Sequence, residues 1–185
     1  VRFAATIEQP DTRVTTEPDG RGRFEAGNTI EIYARTADPT SVPPYSRTLM
    51  FDGTEWFPEL RWSEIGNRTR FTAWYPVPDK NQTNETLYTH RIETDQSSAT
   101  GYELSDLLAA ETETARGKTV QLTFRHVLSR LNIVLTSDGY SEEALNRATV
   151  EIRSRTQTTF DLMAPFQTPP LPHGNTAWIT PPTTV

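Results

Sequence analysis

The chain has 185 residues, with 18 basic against 24 acidic side chains and a net charge of −6, which suits one full domain with room for part of a second. Its only lysines are Lys80 and Lys118 and its arginines are scattered, so it lacks the cationic footprint of a nucleic-acid binder. Without cysteine it has no disulfide framework, thiolate metal site or cysteine nucleophile, and no apolar run approaches the roughly 18 residues that span a bilayer.

Val1, Phe3, Ala5 and Ile7 alternate with polar or small residues, the period-2 pattern of a strand with one buried face rather than a signal peptide. A polar loop carrying Gly20 and Gly22 follows, and then Thr29 to Ala34 predicts a second strand with Ile30 and Ile32 inward. Pro39, Pro43 and Pro44 stiffen the next loop, since each fixes φ and removes a donor. Asp52-Gly53 between two apolar runs predicts a hairpin. Phe71, Ala73 and Tyr75 predict a strand ended by Pro76 and Pro78, and another short strand is expected from Tyr88 to Ile92.

Ser105 to Ala110 reads as a short helix, with Ser105 as N-cap and Asp106 at the positive end of the dipole. The stretch from Thr119 to Ser137 carries the strongest signal. Val120, Leu122 and Phe124 alternate with polar residues, and His126 and Leu128 keep the phase. The next apolar set, Leu131, Ile133 and Leu135, is one residue out of step, so a bulge or tight turn is expected near Ser129-Arg130. Phe124, His126, Leu131 and Ile133 are therefore expected in the core. Ser141 to Arg147 predicts a second short helix, and Ala148 to Arg155 a further strand. From Phe160 onward prolines accumulate, which reads as a linker or the start of an incomplete second unit. The division expected is a domain over residues 1–162 and a proline-rich segment over 163–185. Many short strands and few helices make the fold class all-β, a sandwich.

Chemistry is sparse. His90, His126 and His173 show no metal-ligand spacing, and His126 reads as a hydrogen-bonded core histidine. Asp95 and Asp106 are not placed as a glycosidase pair and fit loop-ordering contacts better. No nucleophile elbow, phosphate loop or dinucleotide fingerprint is present. No catalytic residue, metal or cofactor is therefore predicted. Trp56, Trp62 and Trp74, with Tyr75 and Tyr45, could form a glycan-stacking platform, although clustered aromatics in a sandwich are more often packing anchors. Asn67, Asn81 and Asn84 begin N-glycosylation patterns to which no function is assigned.

Several pieces recur in a fixed order: Phe24-x-x-Gly27-Asn28-x-Ile30-x-Ile32, Trp56-x-Pro58-x-Leu60-x-Trp62, and Phe71-x-Ala73-Trp74-Tyr75-Pro76. They continue as Ile92-x-x-Asp95-Gln96, Ser105-Asp106-Leu107-Leu108-x-Ala110, and Val120-x-Leu122-x-Phe124-x-His126-x-Leu128-Ser129-x-Leu131-x-Ile133-x-Leu135. From about Val1 to Leu162 the chain resembles the first domain of the fimbrillin family of Bacteroidetes, the fimbrial subunits and fimbrillin-like lipoproteins. The resemblance implies a transthyretin-like, Greek-key β-sandwich with one or two short helices, on a protein anchored to the outer membrane through a lipid attached upstream. It implies that arginine-specific proteolysis removes the first strand, and that other fimbrial subunits then donate a strand to the open groove. Carried onto this chain, Val1 to Ile7 would be the removable strand, with Arg13 as the processing site and Arg21 and Arg23 as rivals. Asn28 stands where the family usually has an acidic residue. Residues beyond Phe160 are too few for a second sandwich, so no C-terminal donor strand is located. The function implied is a stalk, tip or anchor subunit of a surface fimbria, contacting host or bacterial glycan or protein. The alternative is a non-polymerising surface lipoprotein that binds glycan through Trp56, Trp62, Trp74 and Tyr75.

Overall fold

The computed structural model describes residues 1–8, 23–36, 45–84, 86–98, 101, 104–129, 133, 139, 141, 143–144, 147–166 and 172–180. Its strands are β1 (Phe3–Ile7), β2 (Thr29–Thr36), β3 (Tyr45–Phe51), β4 (Trp56–Phe57), β5 (Arg68–Tyr75), β6 (Thr83–Asn84), β7 (Leu87–Arg91), β8 (Leu108–Ala115), β9 (Val120–His126), β10 (Ile152–Asp161) and β11 (Pro172–Ile179). A one-turn helix, α1 (Trp62–Ile65), precedes β5. The fold is all-β, as the short alternating runs predict.

Seven strands form one sheet in the order β1-β9-β8-β5-β2-β3-β4, and four form a second in the order β11-β10-β7-β6. The first sheet curls around its own inner face. Ile30, Ile32 and Ala34 of β2, Phe71 and Ala73 of β5, and Val120, Leu122 and Phe124 of β9 all enter one buried cluster. Phe24 lies 5.2 Å from the ring of Trp56, near one edge of the sheet, and 5.1 Å from that of Phe124, next to the other. One side chain touches both sides only because the sheet bends toward closure, so the core is filled by side chains as in a small barrel.

The second sheet packs on the back of the first. Trp74 and Ala109, pointing away from the inner core, meet Tyr88 and Phe160 of the four-stranded sheet together with Leu107 and Leu162. Two donors tie the layers: Thr72 Oγ1 and Trp74 Nε1 both donate to the Leu162 carbonyl, at 2.7 and 3.0 Å. Beyond this contact the same back face carries the ion pairs Arg70–Glu111 and Arg68–Glu113. Glu31, also on the back of β2, is buried and accepts from the Thr48 hydroxyl. Half-buried beside it, Tyr33 is pushed up to about 12, first by burial and then by the Glu31 carboxylate.

Several local expectations change. The helix expected over 105–110 is absent: Gly101, Leu104 and Ser105 are helical, and β8 begins at Leu108. Ser105 ends that turn rather than starting one; its hydroxyl donates to the Gly101 carbonyl and accepts from the Glu93 amide. Leu107, Leu108, Ala109 and Ala110 are all buried because this strand is covered on both faces, and such a run has no period to separate strand from helix. His126 is exposed rather than core: it ends β9, where its Nδ1 lies 2.9 Å from Asp106 Oδ1. Ile133 is likewise exposed, and Leu131 and Leu135 lie outside the described residues. Glu143 and Ala144 are helical, and Ser141 accepts from the Ala144 amide through its side chain, as an N-cap does. The hairpin at Asp52-Gly53 forms, pairing Met50 with Phe57 and Phe51 with Trp56. Residues 172–179, inside the segment whose prolines suggest a linker, are β11, paired antiparallel to β10. Pro172 is tolerated there because it opens an edge strand, where its missing N–H costs little.

Candidate functional site

The site implied for strand removal is the edge of the seven-stranded sheet. There β1 runs parallel to β9, with Phe3 opposite Val120, Ala5 opposite Leu122 and Ile7 opposite Phe124. The Val120 amide donates to the Arg2 carbonyl at 2.9 Å and the Glu8 amide to the Phe124 carbonyl at 2.7 Å. Arg125 pairs with Glu8 at 3.0 Å, across exposed side chains. On the inner side Val1, Phe3, Ala5 and Ile7 are partly buried against the main core, and Phe3 meets Phe71 edge-on at 5.7 Å. Among the described residues β1 has no neighbour on its other side in the sheet, so one ladder, one row of apolar side chains and the hydrogen bond from the Val1 ammonium to the Leu60 carbonyl at 2.6 Å hold this segment. Parallel ladders are slightly the weaker kind. Removing β1 would leave one edge of the β9 backbone unpaired, the other still facing β8, and an apolar slot beside Val120, Leu122 and Phe124, a template for another strand.

Of the candidate processing sites, Arg13 and Arg21 lie outside the described residues. Arg23 is exposed and directly precedes buried Phe24. Phe24 stacks edge-on against Trp56, Tyr75 and Phe124 at 5.1 to 5.5 Å. Asn28 fixes the turn that follows, its Oδ1 accepting from the Glu25 amide at 2.8 Å, with Gly27 at φ 94°. A cut after any of the three arginines therefore leaves Phe24 on the body of the sheet.

The aromatic platform is not assembled. Trp74 is fully buried and Trp56 nearly so, so neither presents an open ring face; Tyr75 and Trp62 are half-buried against the core. Trp62 borders an open cleft of about 200 Å³ with Val1, Arg2, Gly117, Lys118 and Thr119, and this cleft exists only while the first residues are in place. The exposed tryptophan is Trp178 on β11, at 60%, which escaped notice in sequence because the prolines around it suggest a linker. Of His90 and His126, it is His90 that is buried. Its Nε2 lies 3.0 Å from the Ser105 carbonyl and its Nδ1 3.3 Å from the Tyr88 hydroxyl. A carbonyl only accepts, so Nε2 carries the proton and Tyr88 donates to Nδ1. Among the described residues no group of three histidine, aspartate or glutamate side chains is placed to hold a metal, and no helix is long and apolar enough to cross a membrane.

Comparison with known proteins gives a consistent picture. The model of the fimbrillin-like family matches residues 12–183. A solved structure described as a "putative cell adhesion protein" of Bacteroides thetaiotaomicron superposes with a TM-score of 0.56 at 18% identity, over 97% of this chain and 70% of that one. Another, given the same description and from Bacteroides ovatus, superposes with a TM-score of 0.55 at 12% identity, over 100% of this chain and 73% of that one. At such identities these likenesses bear on fold alone. No curated protein matches.

Proposed function

We infer that this chain, which belongs to the fimbrillin-like family, is a structural subunit of a bacterial surface fimbria that assembles by exchanging β1 for a strand donated by a neighbouring subunit. Membership of the family supports a fimbrial or surface-adhesion role. The observation that carries the finer reading is the placement of β1. Among the described residues it is an edge strand held by one parallel ladder, and its inward side chains are partly buried against the main core. With the equivalent of Phe3 and Ile7 half-buried, at 1.5–3 kcal/mol for full burial of each, β1 contributes a few kcal/mol, about what an incoming strand of similar pattern would restore. In this reading the chain sits at the cell outer membrane, carries a lipid anchor upstream, and has no catalytic role.

The test is arginine-specific proteolysis of the full-length precursor, followed by sequencing of the new N-terminus and an unboiled denaturing gel. A cut at Arg13, Arg21 or Arg23 followed by heat-sensitive multimers supports strand exchange. A cut with monomer only refutes it. The second reading, a surface protein that binds glycan through exposed aromatics, loses Trp56 and Trp74 to the core but retains one open ring, Trp178.

A further inference from the structure

We propose that the slot occupied by β1 selects its incoming strand by one aromatic side chain, seated opposite Val120 against the ring of Phe71. This inference rests on the strand-exchange reading and names what a partner strand must carry to be accepted.

The inward row of β1 supplies the anchor. Phe3, Ala5 and Ile7 stand opposite Val120, Leu122 and Phe124 of β9, and of the three only Phe3 carries a ring. It reaches across the inner face of the sheet to β5, where it meets Phe71 edge-on, with centroids 5.7 Å apart and planes at 90°. Phe71 is fully buried, yet its neighbours on the flanking strands are short, Ala34 on β2 and Thr112 on β8. Interiors are close-packed, so the room left beside the ring is filled from elsewhere. Phe3 fills part of it, and Trp62 of α1, which meets Phe71 at 6.3 Å and 80°, fills another part. Hydrogen bonds that do not involve β1 hold Trp62 in place. The Gly66 amide donates to the Trp62 carbonyl at 2.9 Å and the Arg61 amide to the Glu64 carboxylate at 2.9 Å. Thr69 Oγ1 donates to the Ile65 carbonyl at 2.7 Å, tying α1 to the strand that carries Phe71.

The two ends of the slot differ in what stays behind when β1 leaves. At the Ile7 end the body keeps its own ring. Phe24 packs against Phe124, Trp56 and Tyr75 at 5.1 to 5.5 Å and remains after a cut at any of the three arginines. At the other end Phe3 is itself the ring that departs, and Phe71 loses an edge-on partner while keeping Trp62. The vacated place is therefore a preformed socket beside a ring. An aliphatic side chain covers the same area without matching ring edge to ring face, and that match makes an aromatic pair worth more than its burial. A ring two residues further along the incoming strand would stand opposite Leu122, about 7 Å away, too far to reproduce the contact. The slot thus reads position as well as apolar character.

The experiment cuts the full-length precursor in the arginine-bearing segment after β1 and offers it an excess of two differently labelled peptides in equal amounts. One has the sequence of residues 1–9 and the other is a variant, and the ratio of labels retained is read on unboiled denaturing gels. The variants are Phe3→Leu, Phe3→Ala, the exchanged pair Phe3→Ala with Ala5→Phe, whose composition equals that of the parent, and Thr6→Ser at an exposed position. Retention of the parent is expected to exceed that of Phe3→Leu about two- to tenfold and that of Phe3→Ala about tenfold or more. The parent should also outcompete the exchanged pair and should match Thr6→Ser. In a precursor carrying Phe71→Leu, its fold verified by circular dichroism, the preference for Phe3 over Phe3→Leu should shrink toward parity. Equal retention of Phe3→Leu or of the exchanged pair, or a preference unchanged by Phe71→Leu, would overturn the anchor and leave strand exchange standing. Entry of no peptide at all would overturn strand exchange and the anchor together.

Discussion

The Leu162 carbonyl is where the two sheets are tied by hydrogen bonds, and it accepts from two buried donors, Thr72 Oγ1 at 2.7 Å and Trp74 Nε1 at 3.0 Å. Thr72→Val keeps the shape and removes one donor at a cost of about 1 kcal/mol. Trp74→Phe removes the other donor and leaves a void where the indole was, costing about 2–3 kcal/mol. In either single variant the carbonyl keeps one partner. In the double variant it is buried with none, and the desolvation of an orphaned acceptor adds about 1–3 kcal/mol. The double variant is therefore more destabilised than the sum of the singles. Urea unfolding of the four proteins gives the coupling directly, provided the m-values agree. Additivity within about 0.5 kcal/mol would show that the shared carbonyl does not link the sheets energetically.

Three further outcomes follow from particular residues. Burial holds His90 below its ordinary value of 6.5, against the opposing pull of the Ser105 carbonyl and Asp106. The unfolded chain takes up that proton first, so stability falls as pH drops below about 6.5, and His90→Gln should flatten the decline in melting temperature between pH 7 and pH 5. Asp52 is held below 3.8 by the Glu55 and Thr54 amides. Its contribution is present above that value and lost as pH falls through the lowered one, so Asp52→Ala should lower the melting temperature at pH 6, by an amount that shrinks as the pH is taken down below 3.8. Gly66 sits at φ +90°, where an added Cβ would come within 2.7 Å of Thr36 Oγ1; Gly66→Ala should cost about 1–3 kcal/mol in chemical denaturation, and a neutral result would refute the turn geometry.

How much of this was legible in sequence depended on how many faces a strand buries. β1 and β9 alternate plainly because each covers the core on one side: Gln121, Thr123 and Arg125 are exposed between Val120, Leu122 and Phe124. β8 is covered on both sides, so the run Leu107 to Ala110 lost its period and read as helix. His126 kept the inward phase of β9 but stands where the strand ends, and Asp106 engages it in place of the core. Composition misled at β11, where prolines suggest a linker and hid Trp178. The family resemblance supplied the idea of a removable strand, and the structure supplied its location at a sheet edge.

The account rests most heavily on β1 being replaceable at the β9 edge. The direct measurement is to cut the chain in the arginine-bearing segment after β1, add an excess of fluorescent peptide with the sequence of residues 1–9, and follow its incorporation on unboiled denaturing gels. The account predicts that label enters the cut protein, stays until the sample is heated, and does not enter uncut protein. A cut protein that retains its own first strand and excludes the peptide, or that unfolds on cleavage, would contradict it.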